Sequence, residues 1–369
     1  VLAALTSGDD NTALGFNAGT SITTASQNVA IGSRALDADT TGLGNVAIGR
    51  DALGSNIDGN SNTGIGQQTL AGNTTADNNT AVGAYAMQTN STGTSNVAMG
   101  YDALRANTTA SNNTAVGYEA LKSNVGASSL VAVGYCALAS NNSSVAHNNT
   151  AVGMEALKSN TSAKRNTAIG NESMKTNTTG CCNTALGAFT LYNNTTANDN
   201  TAVGYDSLGQ NTIGHSNTSI GANALNANTT GANNVAIGKA ALGANTTASD
   251  NTAVGMNALL ANTTGTRNTA VGKDSLDANI DGNDNTAVGR TSLSSNTTGD
   301  NNVAFGVGAL QSNTIGENNT ALGYVSLISN TTSTGNTAVG AKALCAHVQT
   351  GIDNTAVGFC ALKGSTTAY

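Results

Sequence analysis

Few side chains in this sequence are spaced in a way that suggests catalytic or metal chemistry. The three histidines, His147, His215 and His347, are separated by long stretches of chain. The cysteines are odd in number and irregularly spaced, which does not predict a disulfide framework. They are Cys136, Cys181, Cys182, Cys345 and Cys360. Because metal binding and acid–base catalysis need groups that converge at bonding distance, we predict no catalytic residue, no metal site and no cofactor.

Two segments rich in Asp, Asn and Gly suggest a different chemistry. Residues 56–60 and 279–285 offer the oxygen atoms that calcium prefers. Neither segment completes an EF-hand loop, and the nonapeptide calcium repeat is absent. We therefore interpret both segments as plain Asx turns.

Recurring Asn-Thr-Thr tripeptides are candidates for glycosylation, because each begins an Asn-x-Thr acceptor sequence. The candidate asparagines are Asn73, Asn107, Asn177, Asn194, Asn228, Asn245, Asn262, Asn296 and Asn330. The adjacent threonines could instead carry O-linked sugar. Examples are Thr74, Thr75, Thr108 and Thr109. A repeating corner built from Asn and Thr would also generate these tripeptides, so a purely structural explanation stays open.

The composition argues against several classes of function. The 369 residues include 44 Gly, no Pro and no Trp, and 9% of them are charged. The net charge of −7 is spread along the chain, whereas nucleic-acid binding requires clustered Lys and Arg. No apolar stretch is long enough to span a membrane. We predict neither nucleic-acid binding nor membrane insertion, and the composition does not favour an ordinary enzyme domain.

A fixed repeat explains this composition. The string Asn-Thr-Ala-Val-Gly recurs every 17 residues in 21 copies; the intervals from Gly134 to Gly153 and from Gly340 to Gly358 are 19 and 18 residues long. With this glycine as position 5, the consensus is N-T-A-V-G-x-x-A-L-x-x-N-T-T-G-x-x. Such a period predicts a solenoid. We expect one continuous solenoid over residues 1–369, with irregular coils at 134–153 and 340–358. It starts and stops within a coil, without the usual polar caps.

Positions 2 to 4 are short, β-branched and bounded by Asn and Gly, which is typical of a strand. Gly at position 5 fits a turn with positive φ. Asn at positions 1 and 12 suits corners and should stack into ladders from coil to coil. The sequence therefore predicts an all-β, narrow β-solenoid (β-roll) of about 21 coils with 17 residues each. Tyr101, Tyr118 and Tyr135 share position 6 in successive coils, where we expect an external ladder formed by packing.

The strand pattern also predicts which side chains lie inside. Successive side chains of a strand alternate between its faces, so we expect positions 2 and 4 inside the coil and position 3 outside. Position 3 is nevertheless Ala in 19 of 21 copies. Either this row packs against a second chain, which we favour, or it packs against another layer of the same coil. The candidates for inter-chain packing are Ala81, Ala115, Ala151, Ala202, Ala253 and Ala287.

The strings at residues 28–32, 45–49 and 234–238, each Asn-Val-Ala-Ile-Gly, resemble the head repeats of YadA-like trimeric autotransporter adhesins. The longer form at residues 113–121 is similar to repeats of phage tail-fibre and environmental bacterial fibre proteins. The resemblance extends over all 21 copies. It implies a left-handed, trimeric β-roll in an extracellular stalk or adhesive surface. Because crossover statistics favour right-handed connections, the hand of the coil stays open.

These observations favour a non-enzymatic structural protein of an extracellular filament, fibre or adhesin shaft, exposed on a cell or virion surface. Its main expected partner is itself, by stacking or trimerisation, and surface glycans are a second candidate partner. An alternative is an ice-binding β-solenoid, although the Thr-Thr pairs lie at a corner rather than along a flat strand. A second alternative is a phage tail-fibre or tailspike shaft that binds surface glycans.

Overall fold

The computed structural model describes residues 1–346 and 351–364, and it confirms an all-β solenoid with a 17-residue coil. Every repeat contributes one three-residue strand, and no helix occurs within the described ranges. The chain divides into two compact units, Val1–Asn183 and Thr184–Tyr369, and each unit is itself a stack of parallel coils. The hand of the coil and the extent of one uninterrupted solenoid stay predictions.

The strands β1 to β21 follow one another in chain order. The first unit contains β1 Thr12–Leu14, β2 Val29–Ile31, β3 Val46–Ile48, β4 Thr63–Ile65, β5 Thr80–Val82, β6 Val97–Met99, β7 Thr114–Val116, β8 Val131–Val133, β9 Thr150–Val152 and β10 Thr167–Ile169. The second contains β11 Thr184–Leu186, β12 Thr201–Val203, β13 Thr218–Ile220, β14 Val235–Ile237, β15 Thr252–Val254, β16 Thr269–Val271, β17 Thr286–Val288, β18 Val303–Phe305, β19 Thr320–Leu322, β20 Thr337–Val339 and β21 Thr355–Val357. Within each unit, equivalent positions of successive strands lie opposite one another, as Ala81 does to Ala98.

The predicted direction of the strand side chains is wrong. Ala at position 3 points into the coil, where it lies near the buried Leu at position 9, and positions 2 and 4 lie on the outside. Gly64 occupies position 3 in one coil, and a methyl group added there would lie 3.5 Å from Leu53 Cγ and from the Thr69 carbonyl oxygen. The interior therefore accommodates a small side chain at this position, a methyl group in most coils and the hydroxymethyl group of Ser219 in one, where the hydroxyl donates to the Ala224 carbonyl oxygen (2.9 Å).

The six alanines proposed to pack between chains are consequently interior residues. All of them are fully buried within this single chain. They are Ala81, Ala115, Ala151, Ala202, Ala253 and Ala287. The constancy of position 3 comes from confinement within the coil, the second of the two explanations that the sequence allowed.

Two buried asparagines hold each regular coil to the next. At position 12, Asn90 Nδ2 donates to Asn73 Oδ1 of the preceding coil (3.0 Å) and to the Gly93 carbonyl oxygen (2.9 Å). At position 1, the Asn96 backbone N–H donates to Asn79 Oδ1 (3.0 Å), while Asn79 Nδ2 also donates to the Gly93 carbonyl oxygen (2.9 Å). The carbonyl oxygen at position 15 therefore accepts from both asparagines of its coil. Since an unpaired buried amide is costly, this network explains why Asn recurs at both positions.

Glycine at position 5 is required by both conformation and space. Gly32 has a φ of +130°, and a Cβ placed on it would lie 2.6 Å from the carbonyl oxygen of Gly49 in the next coil. Leucine at position 9 also adopts positive φ, as in Leu104 at 53°. For a bulky side chain this conformation is strained, so packing of the buried leucine must hold the backbone there.

We predict that Gly32→Ala lowers the free energy of unfolding by about 3 kcal/mol, because the added methyl combines an unfavourable φ with a backbone overlap. Urea unfolding measures the change. The matched control is Gly54→Ala at position 10 of the next coil. The neighbouring coils carry Asp37 and Ala71 at this position, and an added Cβ on Gly54 would lie 3.3 Å from the Asp51 carbonyl oxygen. This control should stay within about 1 kcal/mol of the wild type. Equal effects of the two variants would contradict the assignment.

Candidate functional site

The asparagines predicted as glycan acceptors are buried, which corrects that prediction. All nine side chains are fully buried. They are Asn73, Asn107, Asn177, Asn194, Asn228, Asn245, Asn262, Asn296 and Asn330. Each occupies position 12, where its amide belongs to the stacked network rather than to the surface. A sugar on this nitrogen is incompatible with the folded coil, so the structural explanation of the Asn-Thr-Thr tripeptides holds for asparagine.

The adjacent threonines are placed differently from one another. Thr74 and Thr108 at position 13 donate their hydroxyl groups to the carbonyl oxygens of Ser91 and Val125 in the next coil, each over 3.2 Å. Thr75 and Thr109 at position 14 are exposed. O-linked modification stays a prediction, and position 14 is where an accessible hydroxyl group lies.

Position 16 has a structural role that the sequence did not reveal. In several coils its backbone N–H donates to the side chain at position 16 of the next coil, as Ser111 N–H does to Ser128 Oγ (3.0 Å). In the 19-residue interval His147 takes this place, and its Nδ1 accepts from Ser128 N–H (2.9 Å). His215 is exposed with Nδ1 3.3 Å from Ser216 Oγ, and His347 lies outside the described residues. The recurring Ser, Thr, Asn and Asp at position 16 were the available signal for this role.

The Asp- and Asn-rich segments use the same arrangement. Asp77 Oδ1 accepts from the Asn60 backbone N–H, and Asp300 Oδ1 accepts from the Asn283 N–H, both over 2.6 Å. Asn60 Nδ2 also donates to the Asp58 carbonyl oxygen (3.0 Å), which differs from the predicted Asx turn, where the side-chain oxygen would accept from a backbone N–H. Within the described residues, no three His, Cys, Asp or Glu side chains come together as metal ligands. Within the segments themselves, Asn60 Oδ1 accepts from Leu43 N–H (2.9 Å) and Asn283 Oδ1 accepts from Thr266 N–H (2.8 Å), so these two oxygen atoms bond one coil to the preceding one.

Cys345 and Cys360, which lie on neighbouring coils, do not form a disulfide with each other. The tyrosine ladder is confirmed. Tyr101 and Tyr118 stack with ring centroids 5.6 Å apart, and Tyr118 and Tyr135 stack at 5.4 Å, with ring planes within 10° of parallel. Because the rings cover one another's faces, they present edges to solvent, which does not favour a sugar-stacking platform.

In the first unit, positions 7 and 10 carry paired charges. Glu155 Oε1 lies 2.6 Å from Lys158 Nζ three residues on, and Glu155 Oε2 lies 2.7 Å from Lys175 Nζ of the next coil. Hydrogen bonds from both lysines lower the pKa of Glu155. The pair Glu119 and Lys122 has the same i,i+3 geometry at 2.8 Å. Such half-exposed pairs contribute modestly to stability, within about 1 kcal/mol each.

Positions 2 and 4 of the strands form a uniform surface, here called the outer strand face. Position 2 is always Thr or Val, and position 4 is always aliphatic, Met or Phe, so no charged residue occurs on this face in any repeat. Many of the side chains at position 4 are exposed, among them Met99, Ile237, Val271 and Phe305. Rows of apolar side chains that remain open to solvent on a sheet favour association with another surface.

A comparison with models of known protein families and one with curated proteins each found no match to this chain. In the described residues, no helix has the length and apolar character needed to cross a membrane.

One coil has a carboxylate in place of an amide in the asparagine network. Asp39 replaces Asn at position 12 and is fully buried. Its Oδ1 accepts from Gly42 N–H (3.1 Å) and Asn56 Nδ2 (3.0 Å), whereas its Oδ2 has no hydrogen-bond partner. Burial raises the pKa of Asp39 to about 7. The folded coil thus favours the protonated acid.

We predict that Asp39→Asn stabilises the protein at pH 8 by roughly 2–4 kcal/mol, because the folded state no longer buries a carboxylate. The folded pKa lies above that of the unfolded chain, so wild-type stability should fall as pH rises from about 4 to about 7. Asp39→Asn should remove this part of the pH dependence. Urea unfolding across pH measures both effects. Asp10→Asn, at an exposed aspartate, is the control for net charge, and an equal gain in that variant would contradict the prediction.

Proposed function

We propose that this protein is a non-enzymatic structural subunit of an extracellular filament, fibre or adhesin shaft, and that its copies associate through the outer strand face. The observation that carries the proposal is the uncharged, partly exposed double row of side chains at positions 2 and 4 in every repeat. The alanine row is interior, so the proposed inter-chain contact lies on the opposite side of the same strands.

The periodicity of this face favours a second copy as its partner. Parallel strands lie about 4.8 Å apart, so a second solenoid of the same pitch would meet equivalent side chains at every coil. Each apolar Å² buried contributes about 25 cal/mol, and a small contact per coil is multiplied along the stack. Because the face carries no charged residue, there is no like-charge repulsion on it to oppose such pairing. The resemblance to trimeric adhesin repeats supports both the self-association and the extracellular location.

The same repetition supports a structural rather than a catalytic role. A catalytic site requires one constellation of groups that differs from its surroundings, whereas the outer strand face has the same character in every coil. For the tail-fibre or tailspike alternative, the tyrosine ladder is the feature closest to a sugar platform, and its stacked rings do not favour that role.

We predict that Ile237→Lys combined with Val271→Lys prevents self-association, because two ammonium groups would have to be buried in an apolar contact. Sedimentation velocity should then give single chains where the wild type gives oligomers or filaments. The matched control is Thr247→Lys combined with Thr264→Lys, which adds the same charge at exposed position 14. Wild-type protein that sediments as a single chain at all concentrations would refute the proposal, as would a control that dissociates equally.

A second candidate function is ice binding, and the structure alters the argument for it. Positions 2 and 4 face outward on the strand, so threonine hydroxyl groups form a row beside an apolar row. In the second unit, position 2 is Thr in every strand except those with Val235 and Val303. The two rows are about 7 Å apart along the strand and repeat about every 4.8 Å. Regular hydroxyl and methyl groups on a flat sheet could order water, which the corner Thr-Thr pairs could not.

Under this second candidate, we expect measurable thermal hysteresis from wild-type protein that remains monomeric. Thr269→Lys on the outer strand face should abolish it by interrupting both rows with a long charged side chain, whereas Thr264→Lys at the corner should leave it unchanged. Nanolitre osmometry measures the effect. Absence of hysteresis in the wild type would exclude ice binding.

A further inference from the structure

The charged positions 7 and 10 of the first unit define a recurring arrangement. In four of the five coils with an acidic position 7, position 10 of the same coil supplies a cation, as in Glu119 with Lys122 (2.8 Å). In the fifth, position 10 is Gly54 and the carboxylate of Asp51 pairs instead with Arg34 of the preceding coil (2.7 Å). A lysine at position 10 can also reach the carboxylate of the preceding coil, as Lys122 does to Asp102 (3.5 Å) and Lys175 to Glu155 (2.7 Å). A carboxylate at position 7 can thus form an ion pair with a basic residue at position 10 of its own coil or of the next coil.

Asp206 in the second unit occupies position 7 without such a cation. Position 10 of its coil is Gly209, and an added Cβ there would overlap Asp206 Oδ1, so the carboxylate lies over the glycine. In the next coil position 10 is Asn226, whose Nδ2 donates to the Asp206 backbone carbonyl oxygen (3.0 Å). No lysine or arginine of the described residues is within ion-pair distance of Asp206. Both places from which a lysine would reach this carboxylate are therefore held by uncharged residues.

A surface groove of about 670 Å³ lies where those lysines are missing. Small residues line much of it, including Ala240, Gly243 and Ala244, and Leu260 adds a larger apolar side chain. Among the described residues that line it, Asp206 alone is charged. Partial burial raises the pKa of Asp206, as expected for a carboxylate that has lost water without gaining a cation.

We propose that this groove, the Asp206 groove, binds a primary ammonium group on an unbranched aliphatic chain, such as a lysine side chain or an aliphatic amine. The ammonium would take the place that a position 10 lysine takes in the first unit. Its methylene chain would cover the small residues, as lysine stems cover apolar surface elsewhere. The inference goes beyond the structural role proposed above and does not depend on it, because the groove lies at positions 7, 10 and 11 and not on the outer strand face.

A single carboxylate fixes the number of charges that the groove can pair. A second ammonium on the same ligand would meet the side-chain amides of Asn223 or Asn226, which line the groove and carry no charge. We therefore expect N-acetyl-lysine methylamide to bind about as tightly as spermidine. Markedly tighter binding of spermidine would assign the site to free polyamines instead of protein lysines, and the shared ammonium chemistry would stand.

The test is a titration with n-butylammonium chloride, followed by ¹³C NMR of the aspartate carboxylates in solution or in the sedimented assembly. We expect the Asp206 signal to shift and the pKa of Asp206 to fall as the amine binds, with a dissociation constant in the range of about 1–10 mM. Asp206→Asn, which lacks this carboxylate signal and is followed through the NMR signals of the amine, should weaken the binding about fivefold, the effect of losing one half-exposed ion pair. The neutral isostere n-butanol should leave the carboxylate signal unchanged. An equal response to the amine and the alcohol would overturn the proposal.

Gly209→Lys tests the same inference without a ligand. The new lysine should pair with Asp206, lower its pKa and abolish binding of n-butylammonium. Gln210→Lys adds the same charge at the adjacent exposed position and should preserve binding. Should Gly209→Lys fail to fold, Asn226→Lys supplies the cation from the next coil, as Lys122 does for Asp102. Undiminished amine binding in the lysine variant that folds would refute the assignment.

Discussion

The narrowness of the coil is the constraint on which the rest of the structure depends. In most coils the interior holds Ala at position 3, a small residue at position 8 and Leu at position 9, so apolar burial per coil is small. The backbone at the corners is buried as well, and its polar groups must find partners inside the protein. Two asparagines per coil meet this need by converging on one carbonyl oxygen and bonding to the coils beside them. Hydrogen bonds between stacked polar groups therefore contribute much of the cohesion between coils.

The same constraint determines what the sequence could reveal. The 17-residue period, the three-residue strands, the glycine turn and the asparagine ladders were predictable, because each follows from a residue type that recurs at a fixed position. The direction of the strand side chains was predicted wrongly, because β-branched and aliphatic residues at positions 2 and 4 resemble core. Variation was the better guide: position 4 ranges from Val82 to Phe305, whereas the confined position 3 is nearly invariant. A side chain enclosed on all sides tolerates less change than one at the surface.

The functional candidates were harder to predict for a related reason. Motifs such as Asn-Thr-Thr describe local sequence, but exposure depends on the neighbouring coil, which buries Asn73 and leaves Thr75 open. The acceptor role of position 16 was missed because hydroxyl, amide, carboxylate and imidazole groups all serve it. Asp206 becomes distinctive only when its coil is compared with those that hold a lysine three residues on. In a repeat protein, departures from the common pattern in three dimensions identify local chemistry better than any single motif.

The 19-residue interval has a consequence for how such a chain can change. Around His147 the coil admits two extra residues, yet the strands on either side, β8 and β9, keep their pairing in register. Hydrogen bonds between coils join nearest neighbours, so a change in one coil is felt mainly by the two that flank it. Duplication or loss of 17 residues would keep the strands, the glycine turns and the asparagine positions in register at the junction. Recombination between repeats of the gene would thus change the length of the protein by whole coils. Each product would keep the repeat in register and could still fold as a solenoid.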